Sequence, residues 1–321
     1  MFNYIIKMVI MNLSYFILSI LVLLISGIYL VKSLIRIARA LGISEFSAAF
    51  IIMAFATSIP ELFVGISSAL AGSSSLSLGN IIGANILDLT LITGVIVLSA
   101  KTITFESKKI GREIYFMLFI LLSVIVLFLI GNKLSRIDGL ILLSLFFMHV
   151  YSIFKKRKKY KKKIKNGPLK ISKFYWLLIF LIALIGLFVS SGFVVKYASA
   201  LAIDFGFSEI VIGLFLLSLA TTLPELVFGI SASRMKHKEM AIGDQIGTVV
   251  ANSALILGLV ALINPITAEF LPFIISSIFM FVSAFVFVTF VKTGNKLERI
   301  EAISLILLYV LFVVIQLFVG I

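Results

Sequence analysis

The stretches Ala56-Thr57-Ser58-Ile59-Pro60-Glu61 and Ala220-Thr221-Thr222-Leu223-Pro224-Glu225 are near copies, and each interrupts a long apolar run. Each brings a carboxylate, two hydroxyls and a proline into a setting of hydrocarbon side chains. A carboxylate at bilayer depth costs about 2.5–3.5 kcal/mol on insertion scales, so it marks a functional position. A proline has no N–H to offer the carbonyl one turn back, and in hydrocarbon that carbonyl needs another partner. Bound cations would satisfy the carboxylates and the released carbonyls together. The two stretches therefore read as halves of one cation site in a membrane transporter.

The surrounding composition agrees. The chain of 321 residues is 61% apolar, with a mean hydropathy of +1.22, where soluble domains are roughly 45–50% apolar. Uncharged windows of about 20 residues recur, which is the signature of membrane-spanning helices. They do not alternate polar and apolar positions as barrel strands do. The fold class expected is an all-α polytopic membrane protein. The net charge of +14 lies in short loops, where it sets orientation and can meet anionic lipid; no nucleic-acid partner is expected. The absence of cysteine removes thiol and disulfide chemistry. The first apolar segment runs straight into Lys32, Arg36 and Arg39 with no small-residue cleavage site, and is expected to stay as a helix.

Ten spans are expected, at about 12–31, 45–70, 76–99, 113–131, 137–154, 174–195, 209–233, 241–262, 270–291 and 300–319. Residues 1–154 and 174–321 hold five each. Between them, residues 155–173 form a basic linker, dense in Lys from Lys155 to Lys165 and followed by Gly167-Pro168. One set of alternate loops contains every Lys and Arg except Lys7, Lys133, Arg136 and Lys196, which is 24 of the 28. The excess of positive charge on one side places the linker in the cytoplasm, within reach of anionic lipid, and both termini outside.

A shift of 164 residues superimposes the halves. Gly42 falls on Gly206, Thr57 on Thr221, Pro60-Glu61 on Pro224-Glu225, Gly79 on Gly243, Gly83 on Gly247 and Gly94 on Gly258. After a one-residue slip, Lys133-Leu134 falls on Lys296-Leu297. Five spans per copy is an odd number, so the second copy enters the bilayer upside down. Inverted repeats with broken helices meeting at a central site are an architecture of secondary transporters.

Within each copy, positions i and i+4 share a helix face. Thr57 and Glu61 are so related, with Ser58 beside them; Thr221, Thr222 and Glu225 repeat the pattern. The following span adds Gly79-Asn80-Ile81-Ile82-Gly83-Ala84-Asn85-Ile86-Leu87-Asp88, matched by Gly243-Asp244-Gln245-Ile246-Gly247-Thr248-Val249-Val250-Ala251-Asn252. Carboxylate, hydroxyl and carbonyl oxygens suit hard cations such as calcium, and the absence of cysteine and of a histidine cluster argues against zinc or copper.

Thr-Ser-x-Pro-Glu followed by Gly-Asn-x-x-Gly, in two inverted five-span halves, resembles the α-repeats of the cation/calcium exchanger superfamily, most closely the prokaryotic sodium/calcium exchangers. The resemblance covers nearly the whole chain. It implies a secondary antiporter exchanging calcium for sodium by alternating access in a prokaryotic cell membrane, with no resident cofactor. It implies a calcium site at Glu61 and Glu225. Sodium sites around it would use Thr57, Ser58 and the Ala54 carbonyl, then Thr221, Thr222 and the Ser218 carbonyl, with Asp88, Thr248 and Asn252 from the following spans. Against the family pattern, Asp88 and Asn252 are exchanged, Ala84 replaces a serine, and Asp244 replaces an asparagine. These departures keep a proton-coupled calcium exchanger as the alternative. A passive channel fits two facing carboxylates in one chain less well, and no His-Glu-x-x-His or Gly-x-Ser-x-Gly motif supports an enzyme.

Bland roles are expected for the remaining residues. Asp244 reads as a helix-end charge facing the cytoplasm, and Asn80 and Asn85 as groups satisfying backbone. His149 reads as a packed side chain, and Tyr175 and Trp176 as interfacial anchors.

Overall fold

The structure, a computed structural model, describes residues 2–40, 57–104, 107–156, 173–234, 238–294 and 296–318. Helices dominate it. α1 is Phe2–Ala40, α2 Ile59–Leu70, α4 Ser107–Gly131, α5 Arg136–Lys156, α6 Lys173–Phe205, α9 Phe270–Gly294 and α10 Arg299–Phe318. Three others carry wide π turns. α3 runs Ser74–Leu87, turns through Asp88–Ile92 and continues as Thr93–Ala100; α8 runs Lys238–Val250, turns through Ala251–Ile256 and continues as Leu257–Ile263. α7 spans Glu209–Arg234, with a π turn at Gly213–Leu217 and an interruption at Thr222.

Among the described residues, nine helices are long and apolar enough to cross a membrane, and α2 is a shorter apolar helix of 12 residues. The expected second span at 45–70 is described only from residue 57 onward, and most of the expected linker also lies outside the described residues. α3 and α8 are innermost: 83% and 78% of their apolar windows are buried, against 22%, 17% and 22% for α1, α5 and α10. The outer helices present residues such as Leu18, Ile25, Ile182, Ile185, Leu307 and Leu311 on their surface. An apolar exterior of this extent belongs against lipid rather than water.

The fold departs from all-α at the helix ends. β1 (Ile103–Thr104) pairs antiparallel with β2 (Lys296–Leu297), Ile103 opposite Leu297, and Leu134 bridges Ile266 with N–H···O distances of 2.9 Å in both directions. Backbone leaving a helix loses its internal hydrogen bonds, and these short ladders replace them.

The contacts of the two halves are reciprocal. Ile103 and Leu134, moved 163 residues along the chain, become Ile266 and Leu297, so the two pairings exchange into one another. A Cβ on Gly94 would press on Ala302 and Ile306 of α10, and one on Gly258 would press on Gly139 and Leu143 of α5; the glycines are 164 residues apart and the residues they meet 163. Close approach also sets the centre. A Cβ on Gly79 would land on the Ile210 carbonyl oxygen, and one on Gly83 on that of Leu214, so α3 crosses α7 backbone to backbone. Only glycine permits that separation. α1 and α6 pack along one another over a separate apolar seam that includes Phe16, Leu23, Leu30, Leu187 and Val194. A Cβ on Gly27 of α1 would lie 3.3 Å from Pro60 Cγ and 3.9 Å from Pro224 Cγ, so α1 passes close over both prolines.

Candidate cation site

Each Pro-Glu motif opens a helix. Pro60 and Glu61 lie in the first turn of α2, after a turn at Ser58; Pro224 and Glu225 lie in the first turn after the interruption of α7 at Thr222. Proline is at home in a first turn, where its missing N–H has no helical acceptor to serve. A helix N-terminus carries partial positive charge, which favours a carboxylate there. Each glutamate is thus placed by its own proline.

Glu61, Glu225, Asp88 and Asp244 are all buried, and none of their eight carboxylate oxygens has a hydrogen-bond partner. They share one pocket. Asp88 lies within electrostatic reach of Glu61 and Asp244, and Glu225 within reach of Glu61, Asp88 and Asp244. A buried carboxylate with no donor and no countercharge is strongly unfavourable. Four together call for neutralisation, by bound cations or by protons.

The expected oxygen ligands surround this centre. The Thr57 and Thr248 hydroxyls are 3.4 Å apart, and Ser58 is buried next to Thr57. The Thr221 hydroxyl donates to Asn80 Oδ1 at 3.1 Å. The Ser218 carbonyl accepts the Thr222 N–H at 3.0 Å and the Thr222 hydroxyl at 2.8 Å, so Thr222 engages it. Pro224 has no N–H for the carbonyl four residues back, which belongs to Ala220. Ala54 lies outside the described residues. Asp88 opens one π turn and Asn252 is the second residue of the corresponding one, where the widened helix disturbs the regular backbone bonding; such turns recur at functional sites. The Thr93 hydroxyl donates to the Asp88 carbonyl at 2.6 Å.

Three residues depart from their expected roles. Asp244 is not a helix-end charge facing solvent: six residues into α8, it is enclosed by neighbouring helices and 1% exposed. Asn80 and Asn85 do not serve backbone. Asn80 accepts from Thr221; Asn85 donates to Ser253 Oγ at 2.8 Å and accepts from Asn252 Nδ2 at 3.4 Å, joining α3 to α8. The spacing of Asp244 and Thr248, one helical turn apart, is the sequence signal that marks Asp244. His149 packs as expected, its ring stacked on Phe116 at 3.8 Å and its Nε2 2.9 Å from Glu113. Trp176 lies under the Arg36 guanidinium, at 5.5 Å.

Among the described residues, no three His, Cys, Asp or Glu side chains converge into a compact metal cluster. A cation here would be held by one or two carboxylates together with hydroxyl and carbonyl oxygens, a ligand mixture that calcium accepts.

The chain is similar to known proteins over most of its length. A family model described as sodium/calcium exchanger protein matches residues 11–155 and 175–318. Inner membrane protein YrbG of Escherichia coli is 32% identical over 243 residues, covering 71% of this chain and 73% of that one. Sodium/calcium exchanger MaX1 of Methanosarcina acetivorans is 27% identical over 330 residues, covering 89% and 93%. The solved structure of the sodium-calcium exchanger NCX_Mj soaked with 2.5 mM Na+ and 10 mM Sr2+ superimposes with a TM-score of 0.66 at 26% identity, covering 95% of this chain and 99% of that one.

Proposed function

Because the chain belongs to the sodium/calcium exchanger protein family, we propose that it is a secondary antiporter that moves calcium against sodium by alternating access. Glu61 and Glu225 bind calcium. Thr57, Ser58, Thr221, Thr222, Thr248, Asp88 and Asn252, with the Ala54 and Ser218 carbonyls, supply oxygens to sodium around it. The observation that carries this reading is the set of eight carboxylate oxygens buried without a partner. Their uncompensated charge makes an empty pocket costly and a cation-loaded one stable.

Two inverted five-helix repeats, 1–154 and 174–321, would give the pocket its two-sided access. The reciprocal pairings Ile103–Leu297 and Leu134–Ile266 support that symmetry. They also join the loop after α3 to the loop after α9, and the loop after α4 to the loop after α8. The same grouping follows from loop charge, which puts the 155–173 linker in the cytoplasm and both termini outside.

The test is 45Ca2+ uptake by proteoliposomes under an imposed sodium gradient. Exchange of calcium for sodium requires uptake that collapses when the sodium gradient is removed. Uptake indifferent to sodium and driven by a pH gradient would replace sodium with protons as the counter-ion. The exchange of Asp88 and Asn252 relative to the family pattern favours including that arm. Flux that needs no counter-ion would turn the reading to a channel.

A further inference from the structure

The pocket is built from two corresponding lobes of unequal charge. Under the 164-residue shift, Thr57, Asp244 and Thr248 correspond to Thr221, Asn80 and Ala84. Around Thr221 the unpartnered group is neutral: its hydroxyl donates to Asn80 Oδ1 at 3.1 Å, the Asn80 Nδ2 stays buried without a partner, and Ala84 has no side-chain oxygen. Around Thr57 the hydroxyl meets that of Thr248 at 3.4 Å, and the carboxylate replacing the amide stays unpartnered at both oxygens. Asp244 lies one helical turn before Thr248, on the same face of α8, and Asp88 lies within its electrostatic reach. The unpartnered atoms of Asp88, Asp244 and the neighbouring Asn252 are all acceptor oxygens. Unpartnered N–H groups are also buried at Asn80 and Gln245, but the carboxylates of Asp88 and Asp244 present acceptors alone, which a bound cation would satisfy.

We propose that Asp244, with Asp88 and the Thr57 and Thr248 hydroxyls, forms a binding lobe for a hard monovalent cation of the sodium class, beside the Glu61/Glu225 centre. This rests on the exchanger reading above and extends it to a residue outside that ligand set. The choice of a monovalent ion follows from charge. Asp244 adds one negative charge to a pocket closed to water, and neutrality there calls for one more positive charge. Two carboxylates and two hydroxyls supply only oxygen, the donor that alkali cations take.

The experiment is equilibrium binding of 22Na+ and 45Ca2+ to the purified full chain in detergent, wild type against Asp244→Asn. The variant should bind about one sodium ion fewer per chain, and the sodium concentration that half-displaces 45Ca2+ should rise about tenfold, or about 1.4 kcal/mol. Its affinity for calcium itself should fall by a smaller factor. An unchanged 22Na+ count together with an unchanged displacement curve would overturn the proposal. So would wild-type protein whose calcium is displaced by acid but not by sodium. Wild-type protein that binds no calcium would instead sink the exchanger reading, so the two failures are distinct. If Asp244→Asn does not fold, Asp244→Glu keeps the charge and moves the carboxylate by one methylene. A liganding role then shifts the sodium curve by at least about threefold, while an unshifted curve overturns it.

Discussion

Around Thr57 the pocket carries Asp244 and Thr248; around Thr221, in corresponding positions, it carries Asn80 and Ala84. Both lobes are buried and both sit on glycine-packed helices, so their scaffolds are alike. They differ in the charge they leave unpartnered. The Asn80 amide accepts the Thr221 hydroxyl proton and leaves only a neutral N–H group without a partner. A carboxylate without a donor leaves the account open until a cation enters. One atom type at one position thus replaces a neutral contact by an unpartnered carboxylate, and a doubled architecture can carry an asymmetric charge.

The largest expected effect erases both lobes at once. Glu61→Gln or Glu225→Gln each removes a central charge that both lobes face, and calcium exchange should fall by at least about a hundredfold, or about 2.7 kcal/mol. Proteoliposome uptake decides it, with size-exclusion behaviour as the check on folding; normal transport in either single variant is incompatible with a shared centre. Next, Asp88→Asn removes the partner acid of Asp244. Half-saturating sodium should rise about tenfold, and a variant with the wild-type sodium curve would leave Asp88 as interhelical glue.

Asn80→Asp makes the lobes alike by adding an acid opposite Thr221. The sodium-free protein should lose about 1–3 kcal/mol of stability through the new unpaired charge. Sodium should then raise its melting temperature more than it raises that of the wild type. Equal sodium-induced shifts in the two proteins would count against the comparison. The smallest effect is Ala84→Ser, which gives the Thr221 lobe the side-chain oxygen that Thr248 gives its counterpart. Half-saturating sodium should fall by about two- to fivefold; no change would mean that Ala84 lies too far from any ion to matter.

Much of the fold was legible in advance because membrane burial leaves a direct mark on composition. Apolar windows located the spans, and nine of them appear at membrane length among the described residues. The repeat, after its one-residue slip, matched Leu134 to Leu297, and the structure pairs each of them with a residue of the opposite half, Leu134 with Ile266 and Leu297 with Ile103. The paired glutamates were legible because a carboxylate in an apolar run has few explanations. Asp244 was misread for a physical reason. It lies close behind the basic residues Lys236 and Lys238, so by sequence it belongs to a helix end, and only the packing of other helices around that end of α8 encloses it. The amide network of Asn80, Asn85 and Asn252 was hidden for the same reason, since its partners come from other helices.

The sequence by itself determined that this chain lives in a bilayer, where its long apolar helices run, and which carboxylates are too costly there to be incidental. Those properties are local: each depends on a residue and its neighbours along one helix. Only the tertiary structure decided which of the polar groups satisfy one another and which are left as bare acceptors. Hydrogen bonds and charge compensation between helices depend on who faces whom, and that is set by the backbone crossings at Gly79 and Gly83, and by the helices closing around Asp244.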